Sequence, residues 1–240
     1  MNKKLLTAAA LVGSLTCANA ATISFTSEGF NDINQLSTSG TLIDAAQFGE
    51  PGETDVTVSG ITFDSVGGAS TNLRIGGLNG YATGSFGTVA NAAYYDETRH
   101  IAGFQDITGM TTAQEDSMFD AYTFGSGVGN HGIELIGLTI GQVYLFQTLT
   151  VEDRTFTANN TLEYRQADGT VALTGLDHTS NFVVLVNGSF VADATNQFFQ
   201  VDSGADNVLL TSYQLRAVPE PSSTALLGLT GLTLLLRRRN

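Results

Sequence analysis

Asp202-Ser203-Gly204-Ala205-Asp206-Asn207 gathers several side-chain oxygens into one short polar stretch, the hard-donor composition that calcium prefers. Asp202 and Asp206 are the candidate calcium ligands, although the stretch lacks the spacing of an EF-hand loop and also reads as a plain polar turn. Glu152-Asp153 beside Arg154 offers carboxylates of the kind a glycosidase sets across a sugar bond; the competing reading is an arginine paired with its neighbouring acids. Tyr94-Tyr95 and Phe198-Phe199 are aromatic pairs that could stack on a sugar ring. Adjacent strand residues point to opposite faces, so each pair presents one ring outward and sends the other inward. Tyr94 and Tyr95 are the ligand candidates. His100, His131 and His178 lie far apart and form no H-E-x-x-H pair, so no metal is assigned to them.

Other chemistry is excluded by what is missing. Cys17 is the one cysteine, which rules out a disulfide framework or a cysteine-ligated metal. Gly125-Ser126-Gly127-Val128-Gly129 places Asn130 where a dinucleotide fingerprint needs its last glycine, and no serine sits in a G-x-S-x-G elbow. A net charge of −13 leaves no basic surface to neutralise phosphates, so nucleic acid is not an expected partner. No catalytic residue is assigned, the expectation is not an enzyme, and no cofactor is expected beyond structural calcium.

The elements that would position these residues are mostly strands. Gln142 to Val151, Asn196 to Asp202 and Asn207 to Arg216 are rich in β-branched and aromatic residues. In the last of them Leu209, Thr211, Tyr213 and Leu215 share one face. Asp168-Gly169 reads as a two-residue hairpin turn. Asn187-Gly188 reads as a turn between Phe182–Val186 and Ser189–Asp193, or as a bulge in one long strand. Weaker strands are expected at Thr22–Thr26, Val56–Phe63 and Ala82–Val89. Thr111 to Tyr122 is the one helical stretch, with Thr112 and Glu115 as a capping box and Met118, Phe119 and Tyr122 facing inward. Many short strands and one short helix predict an all-β chain, a single jelly-roll-like β-sandwich over residues 21–217.

The two ends read as processing signals. Residues 1–20 combine Lys3 and Lys4, an apolar stretch and Ala18-Asn19-Ala20, the pattern of a secretory signal peptide cut by signal peptidase after Ala20, with Ala18 and Ala20 as its recognition residues. Once it is removed, residues 21–217 hold five arginines, no lysine and 22 of the 23 acidic residues, a net charge of −17. Residues 218–240 carry Pro219-Glu220-Pro221, an apolar stretch at 222–236 expected to be helical, and Arg237, Arg238 and Arg239. As a helix that stretch spans roughly 22 Å, short against a hydrocarbon core of ~30 Å. The arginines should stay cytoplasmic, which places the rest of the chain across the membrane.

This tail closely resembles the PEP-CTERM sorting signal of bacterial surface proteins. The resemblance implies transient anchoring at the inner membrane, then recognition of Pro219-Glu220-Pro221 by an exosortase, a membrane-embedded transpeptidase-like enzyme, and release or transfer to the cell surface. From Gly132 onward, the runs GIELIGLTIGQVYLFQTLTVEDR, GSFVADATNQFFQV and NVLLTSYQLR resemble galactose-binding-like jelly-roll modules of secreted PEP-CTERM proteins. The expectation is a non-enzymatic exported protein of the cell surface or of a biofilm and exopolysaccharide matrix. The alternatives are a carbohydrate-binding module for exopolysaccharide and a secreted glycan-active enzyme.

Overall fold

Apolar residues recurring at every second position decide which strands share a core, and the computed structural model shows the result for residues 21–47, 54–65, 73–77, 93–94, 106–119, 123–125, 129–150, 161–177, 183–203 and 208–219. The strands are β1 (Ser24–Gly29), β2 (Thr41–Gln47), β3 (Val56–Val58), β4 (Ile61–Ser65), β5 (Leu73–Gly77), β6 (Ala93–Tyr94), β7 (Thr123–Gly125) and β8 (Gly129–Ile136). They continue with β9 (Val143–Thr150), β10 (Thr161–Gln166), β11 (Val171–Asp177), β12 (Val184–Val191), β13 (Asn196–Ser203), β14 (Val208–Leu210) and β15 (Ser212–Val218). Helix α1 spans Thr112–Phe119, and a 3-10 turn covers Ile33–Gln35.

The described strands form a seven-stranded sheet in the order β1-β12-β9-β15-β2-β4-β3, a five-stranded sheet in the order β11-β10-β13-β8-β5, and a three-stranded sheet β14-β7-β6. The pairings are antiparallel apart from β2 with β4. The inward residues of the first two sheets fill one cluster. Phe25, Tyr144, Phe146, Val186, Tyr213 and Leu215 come from the seven-stranded sheet, and Ile133, Leu135, Leu162, Tyr164, Phe199 and Val201 from the five-stranded one. Phe146 meets Phe199 edge-on at 5.2 Å between ring centres, and Phe25 lies within 5.4 Å of both Tyr164 and Phe199. The Tyr164 hydroxyl, buried in this cluster, shares a 2.8 Å hydrogen bond with Thr148 Oγ1 of the opposite sheet. Burial pushes its pKa up, so the phenol stays neutral past the ordinary tyrosine range.

The other face of the seven-stranded sheet is covered as well, so β9 is buried on both faces from Phe146 to Thr150. Leu149, Leu185 and Ala45 pack there with Phe30, Leu36, Val56, Ile61, Phe63, Met118 and Phe119. Beside this apolar half runs a ladder of polar side chains. Gln147 Nε2 donates to Asn187 Oδ1 at 2.5 Å and to the Gln35 carbonyl at 3.2 Å. Gln147 Oε1 accepts from the Ser37 amide at 2.8 Å and from Gln214 Nε2. Arg216, also buried, donates to the carbonyls of Thr38, Ser39 and Gly40 and to Gln214 Oε1. The segment 36–40 is thereby strapped across β9 and β15. Gly40 closes the strap at φ +77°, where an added Cβ would lie 2.2 Å from the Ala217 carbonyl oxygen.

Several expectations are corrected. Asn187-Gly188 is neither a turn nor a bulge: β12 runs through it with continuous register to β1 and β9. A larger residue would be tight there: a Cβ at Gly188 would stand 3.1 Å from the Phe25 ring and 3.2 Å from Ile23, so those side chains would have to shift by a few tenths of an ångström. Val56–Phe63 is two strands, since Ser59 (φ +52°) and Gly60 (φ +74°) turn the chain back. The β10–β11 hairpin has a three-residue loop: the Gly169 amide donates to Gln166 O, Gln166 N donates to Thr170 O, and Gly169 alone of the loop is left-handed, at +84°. The Thr170 amide donates to Asp168 Oδ1, which holds that carboxyl below its ordinary pKa. The strand expected over Asn207–Arg216 breaks at Thr211, whose amide and hydroxyl both donate to Leu149 O. Thr211 therefore does not share a strand face with Tyr213 and Leu215, and Leu210 joins their core cluster instead.

The helix is capped one residue earlier than expected. Thr111 and Gln114 form the reciprocal pair, Gln114 Oε1 accepting from Thr111 N at 2.8 Å and Thr111 Oγ1 from Gln114 N at 3.3 Å. Glu115, buried, turns inward to accept from Ile107 N at 2.7 Å. Met118 and Phe119 face the core as expected. Tyr122, Ala82–Val89 and residues 1–20 lie outside the described residues.

Gln147→Leu removes the centre of the ladder and leaves the Ser37 amide, the Gln35 carbonyl, Asn187 and Gln214 each short of a partner. The expected cost is about 3 kcal/mol or more of unfolding free energy, read by urea denaturation, because each stranded buried group costs about 1–3 kcal/mol.

Candidate functional site

Alternation along β10 and β13 sends Tyr164, Phe199 and Val201 into the core and turns their neighbours to the opposite face of the five-stranded sheet. In register, Arg165 stands opposite Gln200 and Glu163 opposite Asp202, so four polar side chains occupy two adjacent rows. Arg165 Nη2 pairs with Glu163 on its own strand and with Asp202 at 3.3 Å on the next, and Nη1 donates to the Gly169 carbonyl. Thr174 on β11 donates its hydroxyl to Glu163 Oε1 at 3.3 Å. Gln200 is different: it is fully buried, and neither its Nε2 nor its Oε1 has a hydrogen-bond partner among the described residues. The register explains why. On one side Arg165 is committed to the two acids, and on the other Gly132 and, beyond it, Gly76 bring no side chain to the row.

Asp202 is thus placed in the last turn of pleat of β13 rather than in a loop, and its carboxylate faces a guanidinium. A calcium site built on Asp202 and Asp206 would have to compete with that ion pair; Asp206 lies outside the described residues. Among the described residues no group of three His, Cys, Asp or Glu side chains could hold a metal ion. Phe199 is buried and Phe198 half-buried on the opposite face, the division that strand alternation requires. Tyr94 pairs in register with Thr123 on β7, and Tyr95 lies outside the described residues, as do Glu152, Asp153, Arg154, His100 and His178. The sequence reading missed Glu163, Arg165 and Gln200. Their signal was present in EYRQ and QFFQVD, where polar residues alternate with aromatic and apolar ones.

The second chemically specific region is the exit of the C-terminal tail. β15 runs through Val218, and Pro219 follows it directly, exposed. Gln142 Nε2 donates to the Val218 carbonyl at 2.6 Å and to the Val143 carbonyl at 2.9 Å, which fixes where the tail leaves the sheet. Glu220, Pro221 and Arg237, Arg238 and Arg239 lie outside the described residues. Among the described residues no helix is long and apolar enough to cross a membrane.

Gln200→Leu is expected to raise the unfolding free energy by about 1–2 kcal/mol, because it removes two unpaired buried polar atoms at similar volume. Chemical denaturation checks this, and a loss of stability would mean that the amide is bonded in solution.

No curated protein and no solved structure matches the chain. Residues 217–239 match the PEP-CTERM protein-sorting motif. That motif is the recognition signal for an exosortase, and it marks an exported protein with a C-terminal membrane-anchoring sorting signal.

Proposed function

We propose that this chain is a non-enzymatic component of the bacterial cell surface or of a biofilm and exopolysaccharide matrix. In this reading residues 21–217 form one jelly-roll-like β-sandwich that is delivered by the signal peptide and released from the inner membrane through the tail. The observation that carries it is the sorting motif at 217–239, set immediately after the last strand. The packing of the five- and seven-stranded sheets through one cluster supports a sandwich. The acidic, lysine-free composition of residues 21–217 suits a soluble exported domain and disfavours anionic partners. Calcium has no part in the reading, since Asp202 already has a cationic neighbour.

A second reading, a carbohydrate-binding module, is favoured by the outer face of β10 and β13. Two partly exposed carboxylates and a guanidinium within two rows have the donors and acceptors that fix sugar hydroxyls. Affinity electrophoresis through gels containing neutral and acidic exopolysaccharide is expected to retard the native protein on this reading. Unchanged mobility in every gel would remove it.

The sorting account is tested by comparing the native protein with a variant carrying Pro219→Ala, Glu220→Ala and Pro221→Ala. Intact mass should show a native species that starts at Ala21, lacks Arg237, Arg238 and Arg239, and fractionates outside the inner membrane. The variant should keep its tail and stay in the membrane fraction. An uncleaved tail in both would defeat the account and leave a tethered periplasmic domain.

A further inference from the structure

The end of the seven-stranded sheet from which the tail departs is its most apolar exposed edge. Val191, Val143 and Val218 form one cross-strand row, Val191 opposite Val143 and Val143 opposite Val218. All three belong to the face away from the aromatic core, because Phe190, Tyr144 and Ala217, which precede or follow them, belong to the core face. Val191 is 52% exposed, and Ile140, three residues before Val143, is 63% exposed. Leu42, opposite Arg216 and one pleat from the row, is 37% exposed. The Ile140 turn is fixed to this end: Gly141 N donates to Ala192 O at 2.7 Å, and Ala192 N donates to Gln142 O at 3.0 Å. Gln142 in turn holds Val218. Within two residues of Val143, Val191 and Val218 the carboxyls are Asp193 and Glu220, a sparse share of a strongly acidic chain.

Chain length brings this end to the bilayer. From Pro219 to Ser222, where the apolar stretch starts, are three residues, at most roughly 10 Å of extended chain. The headgroup layer of one leaflet is itself about 5–8 Å deep. Strands lie ~4.8 Å apart, so Val191, two strands from Val218, is about 10 Å from the exit. A domain tethered so closely cannot hold Ile140 and Val191 far from lipid.

We propose that, while the tail is anchored, this end of the domain docks on the lipid surface of the inner membrane, with Ile140, Val191 and Leu42 seated at the headgroup boundary. The docking rests on the tail acting as a membrane anchor. It would present Pro219-Glu220-Pro221 at a fixed depth to a membrane-embedded enzyme, and its loss on cleavage would free the domain, because the remaining apolar side chains are too few to hold a chain of this charge on a bilayer.

The test uses the full chain with Cys17→Ser and a single new cysteine, Ile140→Cys, labelled with an environment-sensitive fluorophore and reconstituted into zwitterionic phosphatidylethanolamine–phosphatidylcholine vesicles, which do not repel so acidic a domain. Glu28→Cys, at the opposite end of the β1–β12 pair, serves as the control. The docked state predicts blue-shifted emission at position 140, quenched several-fold more by nitroxide-bearing lipid than at position 28. A vesicle-bound chain whose position-140 label reports water overturns the docking and leaves the anchor intact. A blue shift that nitroxide lipid does not quench assigns the surface to a second copy of the chain, and also overturns it. A chain that fails to float with vesicles removes the anchor, and the docking with it.

Discussion

The strand that closes the chain lies in the interior of its largest sheet. β15 is hydrogen-bonded on both sides, to β9 along its whole length and to β2, so neither neighbour can complete its ladder until residues 212–218 are in place. β2 and β15 are separated by most of the chain, as are β1 and β12, which makes the seven-stranded sheet a product of long-range pairings whose closure is slow. The sorting motif begins at the end of that strand. Folding and sorting therefore meet at one place: the domain is complete only when Val218 has reached the same side of the membrane as β9, and a cut beyond Pro219 leaves the pairing of β15 with β9 and β2 intact.

Register in so long-range a sheet must be specified by side chains, and β15 carries contrasting sets. Tyr213 and Leu215 belong to the aromatic core; Gln214 and Arg216 belong to the ladder beneath the strap. A slip of one residue would bury a guanidinium among Phe146 and Phe199 and strand the strap carbonyls. Burial lowers the pKa of Arg216, yet its acceptors are three carbonyls and an amide, all uncharged. Its charge is dispersed over several dipoles rather than neutralised by one acid, so the same contacts that satisfy the guanidinium also hold residues 38–40 against β15. Tyr213 adds a tie on the core side, its hydroxyl donating to Asp44 on β2.

How far the sequence could be read follows from how local each signal was. Runs such as Val143–Thr150 and Asn196–Ser203 were legible because their composition alone specifies strand. Ser59-Gly60 and Asn187-Gly188 show the limit. Both pair a small polar residue with glycine between apolar runs; one is a turn and the other lies mid-strand, paired with β1, more than 160 residues away in sequence, and with β9. The helix cap moved by a single residue because Glu115 was claimed by the Ile107 amide, again a contact outside the local pattern. The grouping on the outer face of β10 and β13 was not legible for a related reason: the alternation of polar residues in EYRQ and QFFQVD was visible, but only register sets Glu163 and Arg165 beside Asp202 and Gln200. The tail needed no register, since its order of motif, apolar stretch and arginines is carried by the chain itself.

The two sheets thus offer unlike surfaces. The five-stranded sheet turns charged groups outward and buries one amide, Gln200, that has no hydrogen-bond partner among the described residues, while the seven-stranded sheet gathers exposed valine and isoleucine at the end where the tail departs. A folded domain gains nothing in stability from either feature: an unpaired buried amide costs free energy, and exposed aliphatic side chains contribute less than buried ones. Gln200, Val191 and Leu42 lie on strands of the two sheets, and Ile140 lies in the turn that leads into β9. On the docking proposal, the apolar end answers a demand from outside the fold. The strand that joins the apolar end to the sorting motif supplies one such demand, because the end that lies at a bilayer is the end that lipid can cover.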